Sequence, residues 1–177
     1  MSRVTIKVFT AIGVALLLSG CLNITDIDQP DEVIACGEVR VVVTCAPDEG
    51  YEEYVGSLYW GFLGVCVPDD WRLTEARVDS PIKADLRENE RIATLMDLCT
   101  PTQVGYQWIG LLTEKQMEFS EKMTTEPIKV KLKFIVGRKT GLFAINYHIG
   151  LADSDVVTLG GINWGNDLGP RAIEVTE

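Results

Sequence analysis

The chain has a single histidine, few basic residues and no apolar run long enough to cross a bilayer. Of its 177 residues, 16 are Lys or Arg against 26 Asp or Glu, a net charge of −10. Each shortage excludes a class of chemistry. With His148 alone, at most one histidine-based triad can exist, and no G-x-S-x-G elbow supplies its nucleophile. No Cys-x-x-Cys pair occurs, and the histidine is remote from every cysteine, so no zinc site is expected. No cofactor motif is present either. The acidic balance opposes nucleic acid and an electrostatic hold on anionic lipid. There is no internal repeat and no low-complexity tract. The longest apolar stretch at the N-terminus, Val8 to Leu18, is about eleven residues, where a spanning helix needs roughly twenty.

That short stretch has a different use. Arg3 and Lys7 precede it and the small pair Ser19-Gly20 follows, which are the parts of a secretory signal. Cys21 comes directly after Leu18-Ser19-Gly20. The four residues resemble the lipobox of bacterial lipoproteins, and the resemblance implies that Cys21 receives diacylglycerol and becomes the first mature residue. A thiolate is the side-chain nucleophile suited to forming the thioether. One acyl chain binds a bilayer marginally and two or more bind it stably, so the implied product is a membrane-anchored envelope protein. Leu22 stands where an aspartate would resemble an inner-membrane retention signal. Outer-membrane placement is therefore the expectation where two membranes exist. The implied division is a signal at 1–20, a tether at 21–32 and one domain at 33–177.

Removing residues 1–20 leaves 157 residues with 14 Lys+Arg against 26 Asp+Glu, a net charge of −12. That length suffices for one domain with its own core. Once Cys21 is set aside, Cys36, Cys45, Cys66 and Cys99 form an even set in an exported chain, which reads as two disulfides. Cys36 and Cys45 flank one extended strand, roughly 30 Å apart at ~3.3 Å per residue, too far to join each other. Cys36–Cys66 with Cys45–Cys99 is the favoured pairing. Cys36–Cys99 with Cys45–Cys66 stays open.

The patterning of the mature chain has a period of two. The tether is acidic, with Ile24 and Ile27 placed to begin a first strand; Asp26, Asp28 and Asp31 lack the glycine and distal glutamate of a calcium loop. Val39, Val41, Val43 and Cys45 alternate with polar or exposed positions, which predicts a half-buried strand. Tyr54 to Val67 is a longer apolar run whose glycines at 56, 61 and 64 suggest a twist or bulge. Trp71 to Val78 alternates weakly, as an edge strand does. Ile92, Leu95, Met96 and Cys99 recur at helical spacing and predict one short helix. Tyr106 to Thr113 is strand again, and Glu114 to Glu126 fits either a helical turn or a polar connection. Ile128 to Val136 and Phe143 to Leu151 are two amphipathic strands around a Gly-bounded loop, which predicts a hairpin. Arg171 to Thr176 is the last strand.

Seven to nine short strands and one small helix predict an all-β, antiparallel sandwich. Gly64-Val65-x-Val67-Pro68-x-x-Trp71, Gly105-Tyr106-x-Trp108, Thr140-Gly141-x-Phe143-x-x-x-Tyr147 and Asn163-Trp164 follow in order. They resemble immunoglobulin-like domains of exported bacterial surface proteins over about residues 30–177. The resemblance implies an immunoglobulin-like β-sandwich; the chain departs from the antibody pattern in having no Cys-Trp-Cys arrangement.

Candidate sites are sparse. His148 falls on the polar face of its strand, beside Asn146 and across from Lys129 or Lys131, as a surface histidine does. Asp48/Glu49, Glu52/Glu53, Asp69/Asp70 and Asp153/Asp155 read as solvated loop charges rather than a glycosidase pair. Asp153 and Asp155 with Asn166 and Asp167 are a lesser calcium candidate, and no metal site is assigned. Trp60 and Trp108 lie within apolar strands and read as core. Trp71 and Trp164 sit by turns and are the candidates for stacking on a glycan. The function expected is a non-enzymatic envelope lipoprotein that contacts a protein partner. A glycan-binding surface module is the alternative.

Overall fold

The computed structural model describes residues 22–47, 54–158, 162–165 and 168–177, with the side chains of 162–164 excepted. The lipobox, the signal segment, Asp48/Glu49, Glu52/Glu53, Asn166/Asp167 and the Trp164 indole lie outside the described residues. In chain order the elements are β1 (Leu22–Asp28), β2 (Glu32–Ile34), β3 (Glu38–Pro47), β4 (Leu58–Pro68), β5 (Arg72–Ser80), β6 (Ala84–Glu88), α1 (Glu90–Cys99), β7 (Tyr106–Thr113), β8 (Met117–Glu118), α2 (Glu121–Thr125), β9 (Ile128–Ile135), β10 (Gly141–Ala152), β11 (Ile162–Trp164) and β12 (Arg171–Thr176). Among the described residues there are two short helices, not one.

The strands form one curled, mixed sheet in the order β1-β3-β9-β5-β6-β7-β4-β10-β12-β2, with β11 and β8 attached to β10 and β4. Nearly all pairs are antiparallel; β2 with β12 is parallel. This corrects the expectation of an immunoglobulin-like sandwich of seven to nine strands. The two facing halves are not separate sheets, because β6 joins them. Its start pairs with β5 (Val78 opposite Ala84) and its end with β7 (Leu86 opposite Thr113). A strand that passes from one half to the other makes a corner.

The half β1-β3-β9-β5 follows its alternating sequence. Val39, Val41, Val43 and Cys45 of β3 and Ile128, Val130, Leu132 and Phe134 of β9 are buried, and the residues between them face outward. Opposite them, Leu63, Val65 and Val67 of β4, Ile109 and Leu111 of β7, and Ile145, Tyr147, Ile149 and Leu151 of β10 complete the main core.

The half β7-β4-β10 is covered on its outer side as well. Phe62 and Cys66 of β4 and Trp108 and Leu112 of β7 turn outward, where Ile92, Leu95 and Met96 of α1 pack on them. Asn89 caps the helix by accepting hydrogen bonds from the Arg91 and Ile92 backbone N–H groups at 3.1 Å each. The helix approaches closely because the strands beneath it carry glycine. A Cβ on Gly110 would lie 2.3 Å from the Ala93 backbone nitrogen, and one on Gly64 would lie 2.6 Å from the Met96 side chain. These glycines thus serve helix packing, in addition to any effect on twist.

Three further expectations are corrected. β9 and β10 are not a hairpin: β9 pairs with β3 and β5, and β10 with β4, β11 and β12. Each has one apolar face, and facing each other across the core buries both. β5 is not an edge strand, since β9 and β6 flank it. The acidic segment read as a tether is strand β1 for most of its length, with Leu22, Ile24 and Ile27 buried.

The two disulfides are also absent. Cys36, Cys45, Cys66 and Cys99 are all free. Strand β3 lies between β1 and β9 and not beside β4. Cys45 points into the main core and Cys66 into the cluster beneath α1, on the far side of β4. Cys36 and Cys99 are exposed, in the β2–β3 turn and at the end of α1.

Candidate functional site

The strand directions give the molecule two ends. At one, Leu22 lies opposite Pro47, and Ser80, Thr113 and Ile128 end or begin their strands nearby. At the other lie the β4–β5 and β9–β10 turns and the α1–β7 loop. The far-end turns are tied together. Asp70 Oδ2 accepts from the Arg138 and Lys139 backbone N–H groups at 2.8 and 3.1 Å, and Lys139 Nζ pairs with Asp69. Asp69 is an exposed loop charge, as expected, paired with Lys139, whereas Asp70 is half-buried and holds the β9–β10 turn.

A cleft of about 790 Å³ opens at the Leu22 end between the β5–β6 and β7–β8 connections. Its volume falls in the range of small-molecule sites, but such sites are mostly apolar. This one is lined by Arg77, Asp79, Lys83, Asp85, Glu114, Lys115 and Glu118 among others. Its acids are partly engaged. Lys131 Nζ lies 2.6 Å from Asp79 and holds that carboxyl below its ordinary range.

A smaller pocket of about 130 Å³ lies on the outer side of the far end. Tyr106, Trp108, Ala144, Asn146 and Cys66 line it, with the Thr100–Gln103 wall at the end of α1 and Pro170. Alternation places these groups together. Tyr106 and Trp108 share one face of β7, and Ala144 and Asn146 share one face of β10. Trp108 Nε1 donates to the Thr100 carbonyl at 3.0 Å, which fixes the loop after the helix. The Tyr106 hydroxyl accepts from the Ala144 backbone N–H at 3.2 Å and spans the two strands.

The sequence-based candidates fall elsewhere. Trp71 is only 4 % exposed and packs against Phe134 with ring centroids 6.1 Å apart. Its role as an exposed glycan platform is corrected: it sits where the β4–β5 turn folds back over the core. His148 pairs with Gly64 of β4, not with β9, and its ring lies 5.3 Å from that of Trp108. Trp108, expected in the core, is buried in the cluster beneath α1, and part of it also lines the pocket. The only sequence signal for this pocket is the i, i+2 spacing of Tyr106 and Trp108. The structure brings Trp108, Cys66 and His148 into one region and leaves Trp71 apart from them.

Burial pushes the Cys66 thiol up to about 11, with the nearby Asp97 charge adding to the effect, and the Cys45 thiol up to about 12. Hydrogen bonds from Thr102 hold the Asp97 carboxyl below its ordinary range. Glu38 is lowered by Lys133 first and Arg40 second. Among the described residues, no group of three or more His, Cys, Asp or Glu is placed to hold a metal ion.

The chain matches no family model and no curated protein. Several solved structures are similar in shape. A cohesin module from a Clostridium perfringens ATCC13124 family 33 glycoside hydrolase has a TM-score of 0.47 at 12 % identity, covering 89 % of this chain and 98 % of that one. CaCohA2 from Clostridium acetobutylicum has a TM-score of 0.42 at 13 % identity, covering 86 % and 92 %. AvmM, which catalyses macrocyclization in alchivemycin A biosynthesis, has a TM-score of 0.44 at 12 % identity, covering 88 % and 89 %. An enzyme and a cohesin module resemble the chain about equally, so these likenesses do not choose a function.

Proposed function

We propose that this protein is a non-enzymatic interaction module held on the envelope membrane by lipid on Cys21. The observation that carries the anchored reading is the position of Leu22. It directly follows the lipobox, is 3 % exposed and pairs with Pro47 as the first residue of β1. A lipid on Cys21 would sit one residue from this buried, strand-paired position. The Leu22 end then faces the bilayer and the far-end loops face away from it. Outer-membrane placement belongs to the same reading.

Metabolic labelling with a palmitate analogue tests the anchor. Cys21→Ser is expected to lose the label and accumulate as an unprocessed precursor. Normal processing of that variant would overturn the reading.

A further inference from the structure

The outer side of the far end has features of a contact surface that the cleft at the Leu22 end lacks. Three large apolar side chains that are close in sequence to residues lining the Trp108 pocket stand in solvent: Val104 at 103 % exposure, Leu142 at 74 % and Leu98 at 67 %. Leu98 and Val104 flank the Thr100–Gln103 wall in sequence. Leu142 lies on the same face of β10 as Ala144, two residues along. Apolar side chains gathered at a concavity are more informative than the same residues scattered singly.

The pocket's volume, about 130 Å³, is below the roughly 300 Å³ at which small-molecule sites begin. It suits one side chain. Its walls combine two aromatic rings with Asn146 and Gln103, a mixture that accommodates an apolar group carried on a hydrogen-bonding backbone.

Charge gives the partner a sign. The register sets Leu142 opposite Glu174, and Glu174 opposite Glu32, in one outward row across β10, β12 and β2. Asp97 stands on α1 beside the pocket wall, and its carboxylate is held ionised by Thr102. The one Lys or Arg on these three strands among the described residues is Arg171, exposed at the start of β12.

We propose that this pocket docks an extended, basic segment of a protein partner, with one apolar side chain of the segment filling it. This deepens the interaction-module reading and rests on it. A single buried anchor ringed by weaker contacts is the usual energetic layout of such surfaces, and the acidic row would favour lysine or arginine on either side of the anchor.

The test uses the full chain in detergent micelles and a dye-labelled peptide with a central Phe flanked by lysines, read by anisotropy. Ala144→Trp fills the pocket from an exposed position and leaves the main core untouched. It is expected to weaken binding about tenfold with an unchanged melting temperature. Glu174→Lys is expected to weaken it roughly threefold, less at high salt. Replacing the central Phe by Ala should weaken binding as Ala144→Trp does.

Equal affinity for wild type and a folded Ala144→Trp would overturn the proposal, as would equal binding of a glutamate-flanked peptide or no binding at about 1 mM. If the peptide fails while site-specific crosslinking at Lys83 or Lys115 still joins the anchored protein to a neighbour, the pocket assignment falls and the interaction-module reading stands. Competitive displacement of the peptide by an N-acetylglucosamine oligosaccharide would overturn both.

Discussion

The two halves of the curled sheet meet solvent in different ways. The half containing β3, β9 and β5 has its outer face in water. There Lys133 Nζ reaches Glu38 at 2.6 Å and Lys131 Nζ reaches Asp79 at 2.6 Å, across neighbouring strands. The half containing β7 and β4 is buried on both faces, with α1 laid over it. The first therefore needs strict alternation, whereas the second needs nearly continuous apolar sequence and glycine where the helix comes close. The same pleated backbone is specified by opposite patterns, and the difference lies in what covers it.

The contrast predicts a hierarchy of stability. Phe134 is 1 % exposed in the main core and packs on Trp71. Phe134→Ala is expected to cost about 3–5 kcal/mol, measured by urea unfolding, because the main core is shared by both halves. Loss of under 1 kcal/mol would show that the two halves hold together by other means.

Gly110→Ala should come next, at about 1–3 kcal/mol, since its Cβ meets helix backbone. Gly64→Ala should cost less, because Met96 is flexible and can move aside. The Gly110 variant should also speed labelling of Cys66 by a thiol reagent and leave Cys45 protected. Equal acceleration of both thiols would mean that α1 and the main core open as one unit.

Removing the helix cap is a milder version of the same experiment. Asn89→Ala is expected to cost about 1 kcal/mol and to raise amide exchange in the first turn of α1, with β3 and β9 unaffected.

The smallest effect concerns the wet face. Glu38 and Asp79 have pKa values lowered below 4.5 and 3.8 by Lys133 and Lys131. A depressed carboxyl pKa adds stability above the unfolded value and loses it as pH falls through the folded one. The melting temperature should therefore hold above about pH 5 and decline below about pH 4. Lys131→Met and Lys133→Met together should flatten a small part of that decline, because the pairs are exposed and screened. An unchanged pH profile would place the acid sensitivity elsewhere.

The wet half was largely legible in the sequence. The alternation of Val39 to Cys45 and of Ile128 to Phe134 predicted their buried faces, and Ile92, Leu95 and Met96 marked the helix. Pairing was not legible. Two alternating strands around a short loop look alike whether they pair side by side or face each other, since both arrangements bury the same residues. The pocket was hidden for a related reason: Trp108 lies in an apolar run and is buried beneath α1, so its sequence surroundings do not mark the part of it that lines the pocket. Trp71 was misplaced because a turn in sequence can lie directly over the core.

Strand β1 lies beside the second half of β3, with Leu22 opposite Pro47 and Asp28 opposite Val42. A pull applied at Leu22 and resisted at the far end acts along the strand axis. The β1–β3 hydrogen bonds are then loaded together in shear, instead of opening one after another as in a zipper. The domain's entry strand is in this sense a mechanical clamp, oriented to resist tension between its two ends.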